Sequence, residues 1–195
     1  MNLANKITIA RILLIPVFIL FFPIYPEWLI EKSELFRHID TYGIYYAAAL
    51  FILASATDKL DGHIARKYNQ ITNLGKLLDP LADKLLISAA LILMVSEHLI
   101  YSWIAFVIIG REIIITGIRI VASSQKIALQ ADQFGKIKMV FQVIAISAVL
   151  LNNRPFSLIT TIPVDQILMY VALVLTILSG VNYIKNNYRL LQLNS

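Results

Sequence analysis

The chain has 195 residues, of which 58% are hydrophobic and only 15% charged, and its mean hydropathy is +0.74. A soluble domain of this size carries nearer a quarter charged residues, so the composition points to a single domain, residues 1–195, built for a bilayer. With no cysteine, disulfides, thiolate chemistry and zinc held through sulfur are excluded. The net charge of +5 suits anionic headgroups or phosphate-bearing substrates. No continuous basic face or arm marks a nucleic-acid partner.

Apolar stretches close to the length of a bilayer span fall at 7–24, 41–57, 80–96, 101–122, 138–152 and 165–184. They predict an all-α integral membrane protein with six transmembrane helices. The N-terminal stretch runs on to Tyr25 without a small-residue cleavage site and reads as a retained first helix. Of the 17 Lys and Arg residues, only Lys32, Arg37 and Arg154 fall in the loops opposite the N-terminal side. That asymmetry predicts both termini in the cytoplasm. Pro16 lies inside the first segment, and Pro26, Pro155 and Pro163 fall in outer connections. Asp79 followed by Pro80 reads as a helix cap with proline at the first helical position. Asn73 and Gly75 then belong to a turn in a linker running from Gly62 to Leu78.

The chemistry-bearing feature straddles the second and third segments. Asp58, Asp61, Asp79 and Asp83 fall within 26 residues, at spacings of 3, 18 and 4. Spacings of three and four put each pair on one helix face, and two helices joined by a short linker bring the two faces together. Carboxylates are costly at membrane depth and are rarely kept there without a role. Four of them make an oxygen-rich cavity for one or two hard cations, magnesium or manganese. A metal pair can stabilise both attacking and leaving oxygens at a phosphoanhydride, and a carboxylate left partly uncoordinated can take a proton. Taken singly, Asp79 is also explained as a helix cap and Asp58 as a solvated helix end.

A second group lies further on. Arg111, Glu112 and Arg119 sit in the fourth segment, and Lys136 and Lys138 open the fifth. Arg111 is well inside an apolar run, where an unpaired guanidinium is expensive, and adjacency directs Glu112 to another part of the helix. Arg111 and Arg119, two turns apart, can join the lysines around a dianionic phosphate. Headgroup anchoring accounts equally well for Lys136, Lys138 or Arg119 taken alone.

Asp58, two residues, Asp61-Gly62, two residues, Ala65-Arg66, eight residues, Gly75, three residues, Asp79, three residues, Asp83: this string resembles, without a gap, the signature of the CDP-alcohol phosphatidyltransferases. The likeness runs the length of the chain. It implies a six-helix membrane enzyme that moves a phosphatidyl group from CDP-diacylglycerol to an alcohol and releases CMP. Asp58, Asp61 and Asp79 are then ligands to magnesium, and Asp83 ligates a second ion and acts as general base. Gly62 and Arg66, with Thr72 nearby, would meet the cytidine diphosphate, as would Asn5 and Thr8 of an N-terminal Asn-x-x-Thr. The Arg-Glu-x6-Arg and Gly-Lys-Ile-Lys segments are similar to the branch that uses glycerol 3-phosphate and makes phosphatidylglycerophosphate. That likeness would set Arg111, Arg119, Lys136 and Lys138 on the acceptor's phosphate. The family resemblance further implies a homodimer in the cytoplasmic membrane, surrounded by membrane lipids, with its site facing the cytoplasm.

Alternatives remain at this point. The same chemistry with phosphatidylglycerol, serine or an inositol phosphate as acceptor is one. Intramembrane prenyl transfer also uses Asp pairs and magnesium, with its motifs further apart in a longer chain. A magnesium carrier would need acids in the outer halves of the helices, where this chain has none outside the loops.

Overall fold

The computed structural model describes residues 3–67, 73–125, 127, 129, 133–157 and 160–192, and within these it leaves out the side chains of residues 3–7, 58–67, 73–80, 133, 155 and 189–192. The described residues form helices and connecting turns without a strand. Six helices are long: α1 (Leu3–Leu20), α3 (Glu34–Lys67), α4 (Asn73–Ser96), α5 (Ser102–Ser124), α6 (Gln133–Leu150) and α8 (Val164–Gln192). Two short ones, α2 (Glu27–Lys32) and α7 (Arg154–Ser157), lie in the connections before α3 and α8. Each apolar segment of the sequence therefore nucleates one long helix. Glu34–Thr57 and Val164–Tyr188 are long and apolar enough to cross a membrane.

The core is made where small residues let helices approach. Ala47, Ala48 and Ala54 of α3, Ala90 of α4, Ala145 of α6 and Ala172 of α8 are all buried, the small-residue packing that brings helices close in apolar surroundings. Aromatic rings fill the remaining space near the end of α1. Phe18 packs edge-on against Phe22 with centroids 5.3 Å apart, and lies 6.2 Å from Phe51 of α3. Large apolar side chains also cover the outside: Leu13, Leu53, Phe106, Ile113 and Ile120 are each at least 60% exposed. An apolar exterior of this extent is the surface of a protein surrounded by lipid rather than water.

Helix ends are closed locally. His98 takes φ 55° just after α4, while Leu99 N–H returns to the Met94 carbonyl at 2.9 Å, the left-handed exit common at helix C-termini. At that same end, partial burial, and secondarily the charge of Asp40, push the Glu97 carboxyl above its ordinary range. Asn152 and Asn153 follow α6 with φ 52° and 54°, and Asn153 Oδ1 accepts the Asp165 N–H at 3.3 Å. That bond ties the α6 exit to the start of α8.

One expected boundary differs. The α4 helix begins at Asn73, so Asp79 is not its cap, Pro80 is not its first residue, and Asn73 and Gly75 are helical rather than a turn. Asp79 and Asp83 thus lie one turn apart within a single unbroken element. Pro80 costs α4 one backbone donor near its start.

Gly43 of α3 shows how closely α1 and α3 meet. A Cβ there would collide with the Phe21 carbonyl oxygen and come within 3.0 Å of Ile39 Cγ2. We expect Gly43→Ala to destabilise the bundle by about 1–3 kcal/mol through overpacking, read as a lowered unfolding midpoint in detergent. An unchanged midpoint would mean that the α1–α3 contact gives way freely.

Candidate active site

Helices α4, α5, α6 and α8 enclose a cavity of about 340 Å³. Asp83 and Lys84 enter it from α4, Arg111, Glu112 and Arg119 from α5, and Lys136, Lys138 and Gln142 from α6. Ser88 of α4 and Tyr183 of α8 complete the polar lining, and Ile87, Ile108 and Met139 contribute apolar wall. Five cationic side chains face two carboxylates, so the cavity suits an anion.

Glu112 organises the charges. Its Oε1 accepts from Arg111 Nη1 at 3.1 Å and from Lys138 Nζ in a close ion pair. Lys138 is only 5% exposed, and a buried ammonium without a partner would be heavily penalised. Adjacency in sequence had placed Glu112 away from Arg111. Both side chains are long enough to bend toward each other, because the helical offset fixes Cβ directions and not the reach of the tips. Lys84 Nζ donates to Thr116 Oγ1, and Thr116 Oγ1 donates to the Glu112 carbonyl at 2.6 Å. Arg111 also reaches α8, its Nη2 donating to Ser179 Oγ at 2.7 Å. Arg119 Nε donates to Tyr183 Oη at 3.2 Å.

Asp83 is tied to the first helix. Arg11 Nη1 donates to its Oδ1 at 3.1 Å, and Arg11 is 1% exposed. Thr8 is likewise buried, three residues before Arg11 and so on the same side of α1. On α6, Gln142 Nε2 donates to Thr176 Oγ1 at 3.2 Å.

The candidate residues therefore divide in two. Asp83, Arg111, Arg119, Lys136 and Lys138 line one cavity. Asp58, Asp61, Gly62 and Arg66 belong to α3, Asp79 to α4 and Asn5 to α1, but their side chains lie outside the described ones, and Thr72 lies outside the described residues. Among the described residues no three carboxylates or histidines form a cluster, Asp83 being the one motif acid whose side chain is described. The helices nonetheless fit a divalent cation. The pairs three and four apart fall within continuous helices, α3 packs against α4, and the donors are all hard oxygens.

Several functional neighbours were not evident as such from the sequence. Arg11 and Lys84 read only as charges at a helix mouth. Ser179 and Tyr183 stand among Thr176, Asn182, Lys185 and Asn186, and Tyr183 opens a Tyr-Ile-Lys-Asn-Asn-Tyr-Arg run that reads as an interfacial anchor of aromatic and basic residues; in the structure Tyr183 is instead buried.

Comparison with known proteins agrees with the motif. The model of the family described as CDP-alcohol phosphatidyltransferase matches residues 1–178. The chain belongs to the CDP-alcohol phosphatidyltransferase family. It is 44% identical over 191 residues to the CDP-diacylglycerol–glycerol-3-phosphate 3-phosphatidyltransferase of Bacillus subtilis (strain 168), covering 98% of this chain and 97% of that one. Proteins of the same name from Rickettsia felis and Haemophilus influenzae are 36% and 35% identical, each over 94% of this chain and over 94% and 92% of their own lengths.

Removing Glu112 should strand Lys138. We expect Glu112→Ala to cost about 3 kcal/mol, and Glu112→Ala with Lys138→Met to recover more than half of the loss. Chemical unfolding in micelles checks this. A double variant no more stable than the single one would show that the pair is not what holds Lys138 in place.

Proposed function

We propose that this chain transfers the phosphatidyl group of CDP-diacylglycerol to glycerol 3-phosphate, giving phosphatidylglycerophosphate and CMP. The observation that carries the reading is that Asp83 and four cations, Arg111, Arg119, Lys136 and Lys138, line one cavity. A hydroxyl acceptor carrying a dianionic phosphate is what such a cavity suits. The names of the full-length relatives support the same pair of substrates.

In this reading Arg111, Arg119, Lys136 and Lys138 hold the acceptor's phosphate, with the guanidinium forks giving direction and the lysines charge. The three-carbon chain then carries the primary hydroxyl toward α4. Asp83, oriented by Arg11, accepts the hydroxyl proton. The acceptor oxygen bonds to the phosphorus that bears the diacylglycerol, the anhydride bond from that phosphorus to CMP breaks, and CMP departs. Asn5, Thr8, Gly62, Arg66 and Thr72 hold the cytidine diphosphate half. Asp58, Asp61, Asp79 and Asp83 would hold two divalent ions, magnesium or manganese, which when bound would offset negative charge on the anhydride oxygens.

The enzyme sits in the cytoplasmic membrane as a homodimer. Six helices cross the bilayer, both termini are cytoplasmic, and the cavity opens to the cytoplasm. The apolar exterior and the distribution of Lys and Arg support this arrangement.

The test is CMP release by purified protein given CDP-diacylglycerol and magnesium, with glycerol 3-phosphate, serine, inositol phosphate or phosphatidylglycerol offered in turn. Release should require glycerol 3-phosphate and stop on adding EDTA. Release with a different acceptor alone would overturn the phosphate reading of Arg111 and its neighbours. We expect Asp83→Asn to lower kcat by about 10²–10⁴-fold while CDP-diacylglycerol still binds. Near-normal turnover in that variant would remove Asp83 from the role of base. Arg111→Ala should raise the KM for glycerol 3-phosphate by about 10–100-fold, and a loss of CDP-diacylglycerol affinity in its place would put Arg111 in the other substrate's pocket.

A further inference from the structure

Two arginines that share a ligand must bring their guanidinium groups together, and the α5 backbone alone does not do so. Arg111 and Arg119 are eight residues apart, which separates their Cα atoms by about 12 Å along the helix axis. Their partners on α8 are spaced differently. Arg111 Nη2 donates to Ser179 Oγ at 2.7 Å, and Arg119 Nε donates to Tyr183 Oη at 3.2 Å. Ser179 and Tyr183 are four residues apart, one turn, which is about 6 Å along the axis. The two side chains therefore take partners whose positions on α8 are half as far apart along the axis as their own on α5, which draws their ends toward each other.

Other contacts make the anchor rigid. The Arg119 guanidinium carbon lies 5.0 Å from the centre of the Tyr183 ring, so the ring supports the cation by its face while the hydroxyl accepts its Nε–H. Gly180 lies between the two anchors, and a Cβ there would stand 3.2 Å from Arg111 Cγ and 3.6 Å from its Nε. The Arg111 side chain thus lies along α8 at the one position without a side chain. Ser179 and Tyr183 are buried and not free to follow a ligand. A guanidinium has five N–H donors, so Arg119 with its bond to Tyr183, and Arg111 with its bonds to Ser179 and Glu112, each keep donors beyond these.

We infer that α8 is the template that gathers Arg111 and Arg119 onto one phosphate, with Ser179 and Tyr183 as positioning residues that set acceptor affinity. The inference rests on the reading of the cavity as the acceptor-phosphate site. It adds residues that the family match does not reach, since that match ends at residue 178.

The experiment is steady-state kinetics on the full chain in detergent, with each substrate varied in turn. Ser179→Ala and Tyr183→Phe each remove one hydroxyl, and Tyr183→Phe keeps the ring under Arg119. Each should raise the KM for glycerol 3-phosphate by about tenfold, the low end of what one bond to a charged group contributes. The kcat and the KM for CDP-diacylglycerol should stay within about twofold of the parent. A general loosening of the fold would move all three parameters. Inorganic phosphate as a competitor should lose affinity by the same factor. If Arg111→Ala raises the KM for glycerol 3-phosphate while neither hydroxyl deletion does, the template role is wrong and the pocket reading stands. If Arg111→Ala also leaves that KM unchanged, the pocket reading fails and takes the template with it. Should Ser179→Ala not give folded protein, Tyr183→Phe decides the question alone.

Discussion

A charge inside an apolar bundle must have a partner, and here the partners stitch the helices together. Arg11 to Asp83 joins α1 to α4, Glu112 to Lys138 joins α5 to α6, and Arg111 to Ser179 joins α5 to α8. Apolar contact alone directs such helices weakly, because a lipid-facing leucine loses little by leaving a neighbour for a lipid tail. The polar bonds have no comparable alternative in the membrane interior. They fix which helix lies beside which, and they set where the cavity opens.

The same constraint shapes the cavity's affinity. Cations that line one cavity repel one another and resist burial, so a site of cations alone would be strained. Glu112 relieves this by accepting from Arg111 and Lys138 together. It also sets a threshold, since an incoming anion competes with a carboxylate already in place. A dianionic phosphate competes well, and a neutral headgroup does not. On the proposed reading, selectivity among acceptors would follow from a charge already inside the protein, without a clash aimed at each wrong acceptor.

Much of this was legible in the residues, and what was not has physical causes. Six apolar stretches became six long helices because bilayer-length hydrophobic runs have few other ways to satisfy their backbones. The acidic pairs fell on α3 and α4 as their spacing required. The Asp79–Pro80 boundary was misread because that dipeptide is a local start signal, and a local signal carries no information about the turns that continue behind it to Asn73. Glu112 was misplaced because a helical wheel describes where a side chain leaves the backbone and not where a flexible tip ends. Ser179 and Tyr183 stayed hidden because their meaning depends on which helix lies opposite, a long-range fact that no spacing within α8 encodes.

Asp83 is where the two halves of the site meet. It is the last acid of the motif that runs from α3 into α4, and it also faces the cation-rich cavity between α5, α6 and α8. In the proposed reaction CDP-diacylglycerol would lie on the side of the α3–α4 acids and the acceptor on the side of the cations, and Asp83 belongs to both sets. On the proposed reading that double membership is what suits Asp83 to take the proton as the new bond forms. Its tie to buried Arg11 brings α1 into the same arrangement, and α1 is also the helix that carries Asn5 and Thr8. The same helix is held from its other end, where the Phe21 carbonyl packs on Gly43 of α3, so α1 is fixed against α3 and α4 together.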